Sequence, residues 1–142
     1  MINYDDFKKV EITIGQIISA QKMEGADKLL ILSVDFGLKV EPELVPVEVA
    51  TIVDEEADSV EPVIIKESVK ERDIRQIVSG IAAYFSEPEK LVGTRCAFVT
   101  NLESRKIRGF DSNGMILAVG GEGEPFSLFK MGEDIEPGSK AR

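Results

Sequence analysis

The chain has 142 residues, of which 43% are hydrophobic and 30% charged, and its formal net charge is −9. This is typical of one soluble globular domain, and no apolar run approaches the roughly 18 residues of a membrane span. With no histidine and one cysteine, the sequence excludes a Ser-His-Asp triad and a thiolate–imidazole zinc site. We expect no metal and no cofactor. The lone cysteine and the absence of a secretory signal predict a cytoplasmic location.

The first elements of the predicted fold are a helical turn and two strands. Asn3 and Asp6 predict a capped turn close to the N-terminus. Residues 10–20 alternate between apolar and polar side chains and predict a first strand, in which Gly15 indicates a bend or bulge. Residues 28–36 are more continuously apolar and predict a second strand.

An acidic segment follows the second strand, at residues 38–73. Its eleven acids and four bases give −7, which leaves −2 for the remainder of the chain. Runs of valine and isoleucine on either side of a turn-like stretch at 54–59 predict a β-hairpin that is inserted into the domain. A flexible surface loop is the alternative. We hypothesise that the segment contacts a protein partner or a second subunit, because long loops in compact domains tend to be functional or disordered.

The second half of the chain adds three strands and a short helix. Residues 75–81 predict the third strand, and Ser86 with Glu89 predicts a capped helix after it. Residues 94–100 and 115–119 predict the fourth and fifth strands. Five short strands, with a small helix between the third and fourth, are the layout of the OB-fold, an all-β, partly open five-stranded barrel.

A basic cluster lies between the fourth and fifth strands. Arg105, Lys106 and Arg108 fall within four residues, and clustered cations on a loop suit a polyanion such as an RNA backbone. A solvated loop is the alternative. Most of the acidity lies in the 38–73 segment, and charges well away from the basic loop are largely screened over about 8 Å at physiological salt, so the net charge does not forbid RNA binding. We expect that binding to be weak and sensitive to salt. The Gly-Gly-Glu-Gly-Glu run at 120–124 lacks a lysine and carries two glutamates, so it predicts a loose turn rather than a phosphate loop.

Four blocks of sequence occur in a recognisable order. They are residues 6–15, 25–29, 75–81 and 101–115, and a Pro-Gly pair with a basic end follows them. The blocks resemble the tRNA-binding domain found at the C-terminus of many methionyl-tRNA synthetases and in free-standing structure-specific tRNA-binding proteins. The fourth block carries the matches Asn101, Leu102, Arg105, Lys106, Arg108, Gly109, Ser112, Gly114 and Met115. Two departures, Thr13 for arginine and Glu103-Ser104 for Lys-Pro, remove positive charge or loop stiffness near the presumed binding face.

The resemblance implies a single non-catalytic OB domain over residues 1–142 that binds tRNA and acts with, or derives from, methionyl-tRNA synthetase. It also implies a homodimer. Methionyl-tRNA synthetase or another protein is a candidate partner that would bind through the acidic segment. The implied RNA-binding residues are Lys28, Arg75, Ser79, Asn101, Arg105, Lys106, Arg108, Ser112 and Met115. Turn capping is the alternative for Asn101 and Ser112, and core packing for Met115. A protein-binding module, like the secretion-related chaperone branch of the same fold, is the alternative function.

Overall fold

The computed structural model describes residues 1–39 and 71–142. The chain divides into two compact units, Met1–Gly37 with Asp73–Arg142 and, separately, Leu38–Arg72. Most of the second unit, and with it the predicted acidic hairpin, lies outside the described residues. In the part that is described, no helix is long and apolar enough to cross a membrane.

The first unit is mostly β, as predicted. In chain order, its elements are helix α1 (Tyr4–Phe7), β1 (Ile12–Met23), β2 (Ala26–Leu38), β3 (Arg72–Ser79), two 3-10 turns (Ala82–Tyr84 and Pro88–Leu91), β4 (Arg95–Val99), β5 (Arg105–Ile107), β6 (Phe110–Ser112), β7 (Met115–Ile116), β8 (Ala118–Gly120), β9 (Phe126–Leu128) and β10 (Lys130–Met131). One sheet has the order β10-β4-β1-β2-β3, with β7 also paired to β4, and β5–β6 and β8–β9 form two small separate hairpins.

The predicted N-terminal turn is confirmed. The Asn3 side chain accepts a hydrogen bond from the Asp6 backbone at 2.8 Å, and the Asp6 side chain accepts one from the Asn3 backbone at 3.3 Å. The two bonds form a capping box, which satisfies backbone donors that a helix otherwise leaves free. This is why four residues suffice for a helical turn here.

Gly15 serves close packing rather than the predicted bend. It pairs in regular register with Cys96, and the register of β1 shifts only later, between Ile17 and Ser19 and between Lys22 and Met23. A Cβ at Gly15 would lie only 2.5 Å from Val34 Cγ1 and 2.6 Å from the Phe36 ring. The missing side chain therefore lets β2 pack against β1.

The core lies between the sheet strands and the 3-10 turns. Phe98 is fully buried, and its ring meets Phe36 edge to face with centroids 5.3 Å apart. Among the residues that the structure describes, the other fully buried side chains are Ile17, Leu30, Leu32, Ile77, Leu91, Val34 and Cys96. Thr13, which the alternation places on the polar face of β1, is only 4% exposed. The start of β1 is thus covered on both faces.

The predicted helix after β3 is wrong in form. Two 3-10 turns take its place, and the second begins after Glu87, without a side-chain cap. Ser86 is therefore not the cap. Pro88 occupies the first helical position, where its missing N–H costs nothing, and the segment is too short for an α-helix to propagate.

The C-terminal segment completes the edge of β1. Gly138 donates to the Ile14 carbonyl at 2.7 Å, Ile14 donates to the Ser139 carbonyl at 2.8 Å, and Ala141 donates to the Ile12 carbonyl at 2.9 Å. The opposite edge of this part of β1 pairs with β4. Both edges at the start of β1 are therefore hydrogen-bonded.

Candidate nucleic-acid interface

The basic loop is itself a β-hairpin. Arg105 pairs with Ser112 and Ile107 with Phe110, which leaves Arg108 and Gly109 as a two-residue turn. Their φ angles are 52° and 87°, the pattern of a type I′ turn. Arginine is unusual in this conformation, which costs a side-chain-bearing residue about 1–2 kcal/mol. The turn therefore holds the Arg108 guanidinium at the tip of the hairpin despite that cost.

The hairpin is fixed to the sheet through one of its faces. Ile107 packs against the cluster formed by Met23, Ala26 and Val78. The Ser112 hydroxyl accepts a hydrogen bond from the Val78 backbone at 3.0 Å. These contacts fix the position of the hairpin on the sheet, while its charged side chains stay exposed to solvent.

Ser112 is a structural residue in this arrangement. It is only 5% exposed, and its hydroxyl also lies within hydrogen-bonding distance of the Gly114 and Val78 carbonyls, at 3.2 and 3.4 Å. The geometry supports turn capping for this side chain, and it leaves no hydroxyl for a ligand.

The three cations of the hairpin are all exposed. The Lys106 ammonium lies 3.9 Å from the Asp111 carboxylate, a surface pair of the kind that contributes little. In the part of the chain that the structure describes, Arg105 and Arg108 form no ion pair. Two guanidinium groups therefore face solvent with their charge uncompensated by a close partner.

Lys28 and Ser79 lie near the base of the hairpin. Lys28 is exposed, and its carbonyl oxygen is 3.9 Å from the point where a Cβ on Gly80 would lie. Ser79 directly follows Val78, the residue to which Ser112 is bonded, and it is half-buried. The structure thus brings these two predicted residues close to the backbone that supports the three cations.

Arg75 is committed to internal contacts. Its guanidinium donates to the Thr100 carbonyl at 2.8 Å and to the Asp73 carboxylate at 3.0 and 3.1 Å. It also lies over the Phe36 ring, 5.3 Å from the centroid. With 28% of its side chain exposed, Arg75 joins β3 to the end of β4 and supports the site from inside.

Asn101 is likewise occupied. Its Oδ1 accepts from the Glu11 backbone at 2.8 Å, and its Nδ2 donates to the Lys9 carbonyl at 2.7 Å. The signature segment is thereby fastened to the start of the chain by long-range bonds, which are not the local turn cap that is the alternative for Asn101. Met115, by contrast, is 48% exposed, so the core-packing alternative for it is wrong and its side chain faces solvent.

A polar cluster that the sequence did not reveal lies beside Asn101. The Thr13 and Thr100 hydroxyls are 2.8 Å apart, and Thr100 donates to the Glu11 carboxylate at 2.7 Å. Lys140 pairs with the same carboxylate at 2.8 Å. The bond from Lys140, and then that from Thr100, lowers the pKa of Glu11 below its usual value. Thr13, which replaces the arginine of the family pattern, therefore belongs to a buried network and not to the exposed face.

Comparison with known proteins identifies the family. Residues 47–140 match the family model described as "Putative tRNA binding domain". The chain belongs to the tRNA-binding domain family. The match begins inside the acidic segment, and the insertion at 38–73 stays a prediction.

Much longer proteins contain a portion similar to this chain. The chain is 34% identical over 139 residues to a methionine–tRNA ligase of Caldanaerobacter subterraneus subsp. tengcongensis, covering 98% of the chain and 16% of the ligase. It is 36% identical over 142 residues to a methionine–tRNA ligase of Methanoregula boonei, again covering 16% of that protein. The similarity is thus to the tRNA-binding portion, and the chain spans about a sixth of these relatives.

Solved structures of the same fold include chains of similar length. A MetRS-related protein of Pyrococcus horikoshii matches with a TM-score of 0.71 and 25% identity, over 100% of this chain and 98% of that one. A CsaA chaperone of Bacillus anthracis matches with a TM-score of 0.67 and 20% identity, over 100% and 99% of the two chains. At that identity the second likeness shows the fold alone.

Proposed function

We propose that this chain is a non-catalytic module that binds the backbone of a folded tRNA through the β5–β6 hairpin. The observation that carries the proposal is the presentation of Arg105, Lys106 and Arg108 on a hairpin pinned to the sheet, with both guanidinium groups free of ion pairs among the described residues. Membership of a tRNA-binding family supports tRNA over other polyanions.

The three cations act by neutralising phosphates and releasing the counterions that accompany them. Such contacts position a protein on RNA without reading its sequence, which suits recognition of an overall tRNA shape. Lys28 adds a fourth positive charge near the base of the hairpin, Ser79 donates to phosphate or ribose, and Met115 gives an apolar contact. Arg75, Asn101 and Ser112, whose polar groups are used internally, hold the platform in place.

The fold that presents the hairpin is, in our proposal, an OB barrel. Two contacts between β3 and the segment before β7 support closure of the sheet: Asn113 donates to the Gln76 carbonyl at 2.9 Å, and Ser112 bonds to Val78. Since β7 pairs with β4, these bonds link β3, at one end of the strand order, to the segment that leads into β7. Closure at this point places the basic hairpin on the seam.

Association with other chains extends the proposal. The similarity to a portion of methionine–tRNA ligases supports a cytoplasmic domain that acts with, or derives from, methionyl-tRNA synthetase. A homodimer would double the basic surface offered to one tRNA, and the exposed apolar side chains Val119 and Phe129 suit such an interface. The acidic segment is proposed to contact the second subunit or a protein partner.

The test is tRNA binding by fluorescence anisotropy at about 50 and 200 mM salt, with wild type and an R105A/K106A/R108A variant. Loss of up to three phosphate contacts is expected to lower the slope of log K against log salt by about 2–3. Lys90→Ala, which removes one exposed cation from the second 3-10 turn, is the control for loss of a surface charge outside the hairpin and is expected to keep the slope. Circular dichroism checks that the variants are folded.

Equal slopes for wild type and the triple variant would refute a hairpin site. If wild type binds no tRNA at low salt but holds an unfolded apolar polypeptide, the chaperone-like alternative replaces the proposal. No contact described above favours that alternative, which rests on the acidic segment and on the lysine and arginine that this sequence lacks relative to the family pattern.

A further inference from the structure

Three of the nine aromatic side chains of the protein meet at one place outside the hairpin. The Tyr84 and Phe126 rings stack with centroids 4.1 Å apart and planes 5° from parallel. Phe85 meets Phe126 edge to face at 5.7 Å. With Glu124, Ser127, Leu128 and Lys130, these rings line an open pocket of about 260 Å³. The pocket has no part in the phosphate contacts proposed above.

The glycine-rich run at 120–124 contributes Glu124 to the lining of this pocket and contacts Tyr84. Gly120, Gly121 and Gly123 all have positive φ, as does Glu122 at 52°. The resulting tight turn carries the Glu122 backbone N–H to the Tyr84 hydroxyl, to which it donates at 2.9 Å. A Cβ on Gly120 would collide with the Pro125 carbonyl. The turn thus fixes the Tyr84 ring, and the pocket is preformed, which lowers the entropy lost when a ligand binds.

We propose that this pocket binds one unstacked guanine base of the RNA, an inference that rests on the proposed function. Its volume is below the roughly 300–1,000 Å³ usual for drug-sized ligands, as suits a single base. Aromatic rings provide surface on which any base stacks. Single-stranded parts of RNA offer splayed-out bases to such sites.

The charged residues at the pocket select the base. An ionised carboxylate is an acceptor only, so Glu124 pairs with the two adjacent N–H donors on the Watson–Crick edge of guanine. Adenine and cytosine place a ring acceptor beside their amino group, and that acceptor would face the Glu124 carboxylate. Lys130 supplies a cation for the phosphate of the same nucleotide. An apolar peptide in the pocket would leave both charges without a partner, which disfavours a peptide ligand.

The experiment is a titration of the ¹⁵N-labelled full chain with GMP and AMP, followed by NMR. GMP is expected to shift the amides of residues 84–85 and 121–130, and to bind about tenfold more tightly than AMP, the lower part of the discrimination given by one bidentate pair. Glu124→Gln is expected to remove most of that preference, whereas Glu122→Gln, next to the pocket but not lining it, is expected to keep it. Phe126→Leu is expected to weaken the binding of both nucleotides, while a dispersed NMR spectrum shows that the variant stays folded.

Three results would overturn the inference: no shifts at the pocket with either nucleotide, equal affinity for GMP and AMP, or shifts caused only by an apolar peptide probe. The R105A/K106A/R108A variant separates this inference from the proposed function. It is expected to lose tRNA affinity and to bind GMP as wild type does. If wild type binds GMP selectively but no tRNA, the proposed function fails, and the pocket stands only as a site for a free guanine nucleotide. If wild type binds tRNA but not GMP, the guanine pocket fails and the proposed function stands.

Discussion

Replacing Arg108 by asparagine separates the charge of the hairpin tip from its backbone conformation. Arg108 has a φ of 52° in the two-residue turn, and asparagine tolerates this left-handed region better than arginine. We therefore expect the free energy of unfolding of Arg108→Asn to be unchanged or to rise by up to about 1 kcal/mol. A loss of RNA affinity in this variant is then not explained by loss of structure.

The expected loss of affinity follows from one phosphate contact. Each contact contributes about 0.7–0.9 to the slope of log K against log salt, and little remains of it at 1 M salt. Removing one contact is thus expected to weaken binding about five- to eightfold at 0.1 M salt and about two- to threefold at 0.3 M. Because Arg108 has no ion-pair partner among the residues that the structure describes, its removal strands no buried carboxylate.

The assay is anisotropy of labelled tRNA across a salt series, together with urea unfolding of each variant. Arg108→Lys keeps the charge and is expected to keep the slope. Lys90→Asn makes the same change in net charge at a distant turn and is expected to leave the affinity within about twofold, because separated surface charges are screened. An affinity ratio for Arg108→Asn that does not change with salt would refute the reasoning, as would a clear fall in stability.

Three further predictions concern the framework of the site, each measured by urea unfolding. Phe98→Ala is expected to lower the free energy of unfolding by about 3–5 kcal/mol because the ring is fully buried. Phe129→Ala, which removes a partly exposed ring, is expected to lower it by less than about 1 kcal/mol. Equal losses would contradict the assigned core. Gly123→Ala is expected to lower the free energy of unfolding by about 1–2 kcal/mol because of its positive φ alone. Gly120→Ala is expected to lower it further, because a Cβ at that position has no room. The reverse order would contradict the described conformation of the turn. The bonds from Lys140 and Thr100 lower the folded pKa of Glu11 below its ordinary value, so ionised Glu11 stabilises the fold at pH values above its pKa in the unfolded chain. At pH 7 the free energy of unfolding of Glu11→Gln is expected to be lower than that of wild type. The difference should vanish as the pH falls through the folded pKa of Glu11. A difference that grows in acid would contradict the lowered pKa.

Features that depend on neighbouring residues were predictable from the sequence. The capping box at Asn3 involves residues three positions apart, and the alternation in 10–20 located β1. The matching blocks indicated the family and the mostly β architecture. The fourth block also contains the cations of the hairpin. The helix expected at Ser86 is absent because the segment Pro88–Leu91 is too short for an α-helix and forms a 3-10 turn.

Features that depend on distant contacts were not predictable. The roles of Asn101 and Arg75 are set by partners 90 and 25 residues away, and no periodicity encodes such distances. Thr13 looked exposed because it alternates with apolar residues, yet Thr100 gives its hydroxyl a buried partner. The hairpin within the basic loop was not predicted because its turn has arginine where asparagine or glycine is the usual signal.

The segment at 138–141, which bonds to Ile12 and Ile14, also bears on how the protein behaves at high concentration. A strand edge with free N–H and C=O groups is a template on which a second chain pairs. Because this segment occupies that edge of β1, removal of residues 138–142 would uncover a β-branched stretch suited to edge-to-edge association. The integrity of this segment is therefore a practical condition for keeping the protein in solution, independent of any contact with RNA.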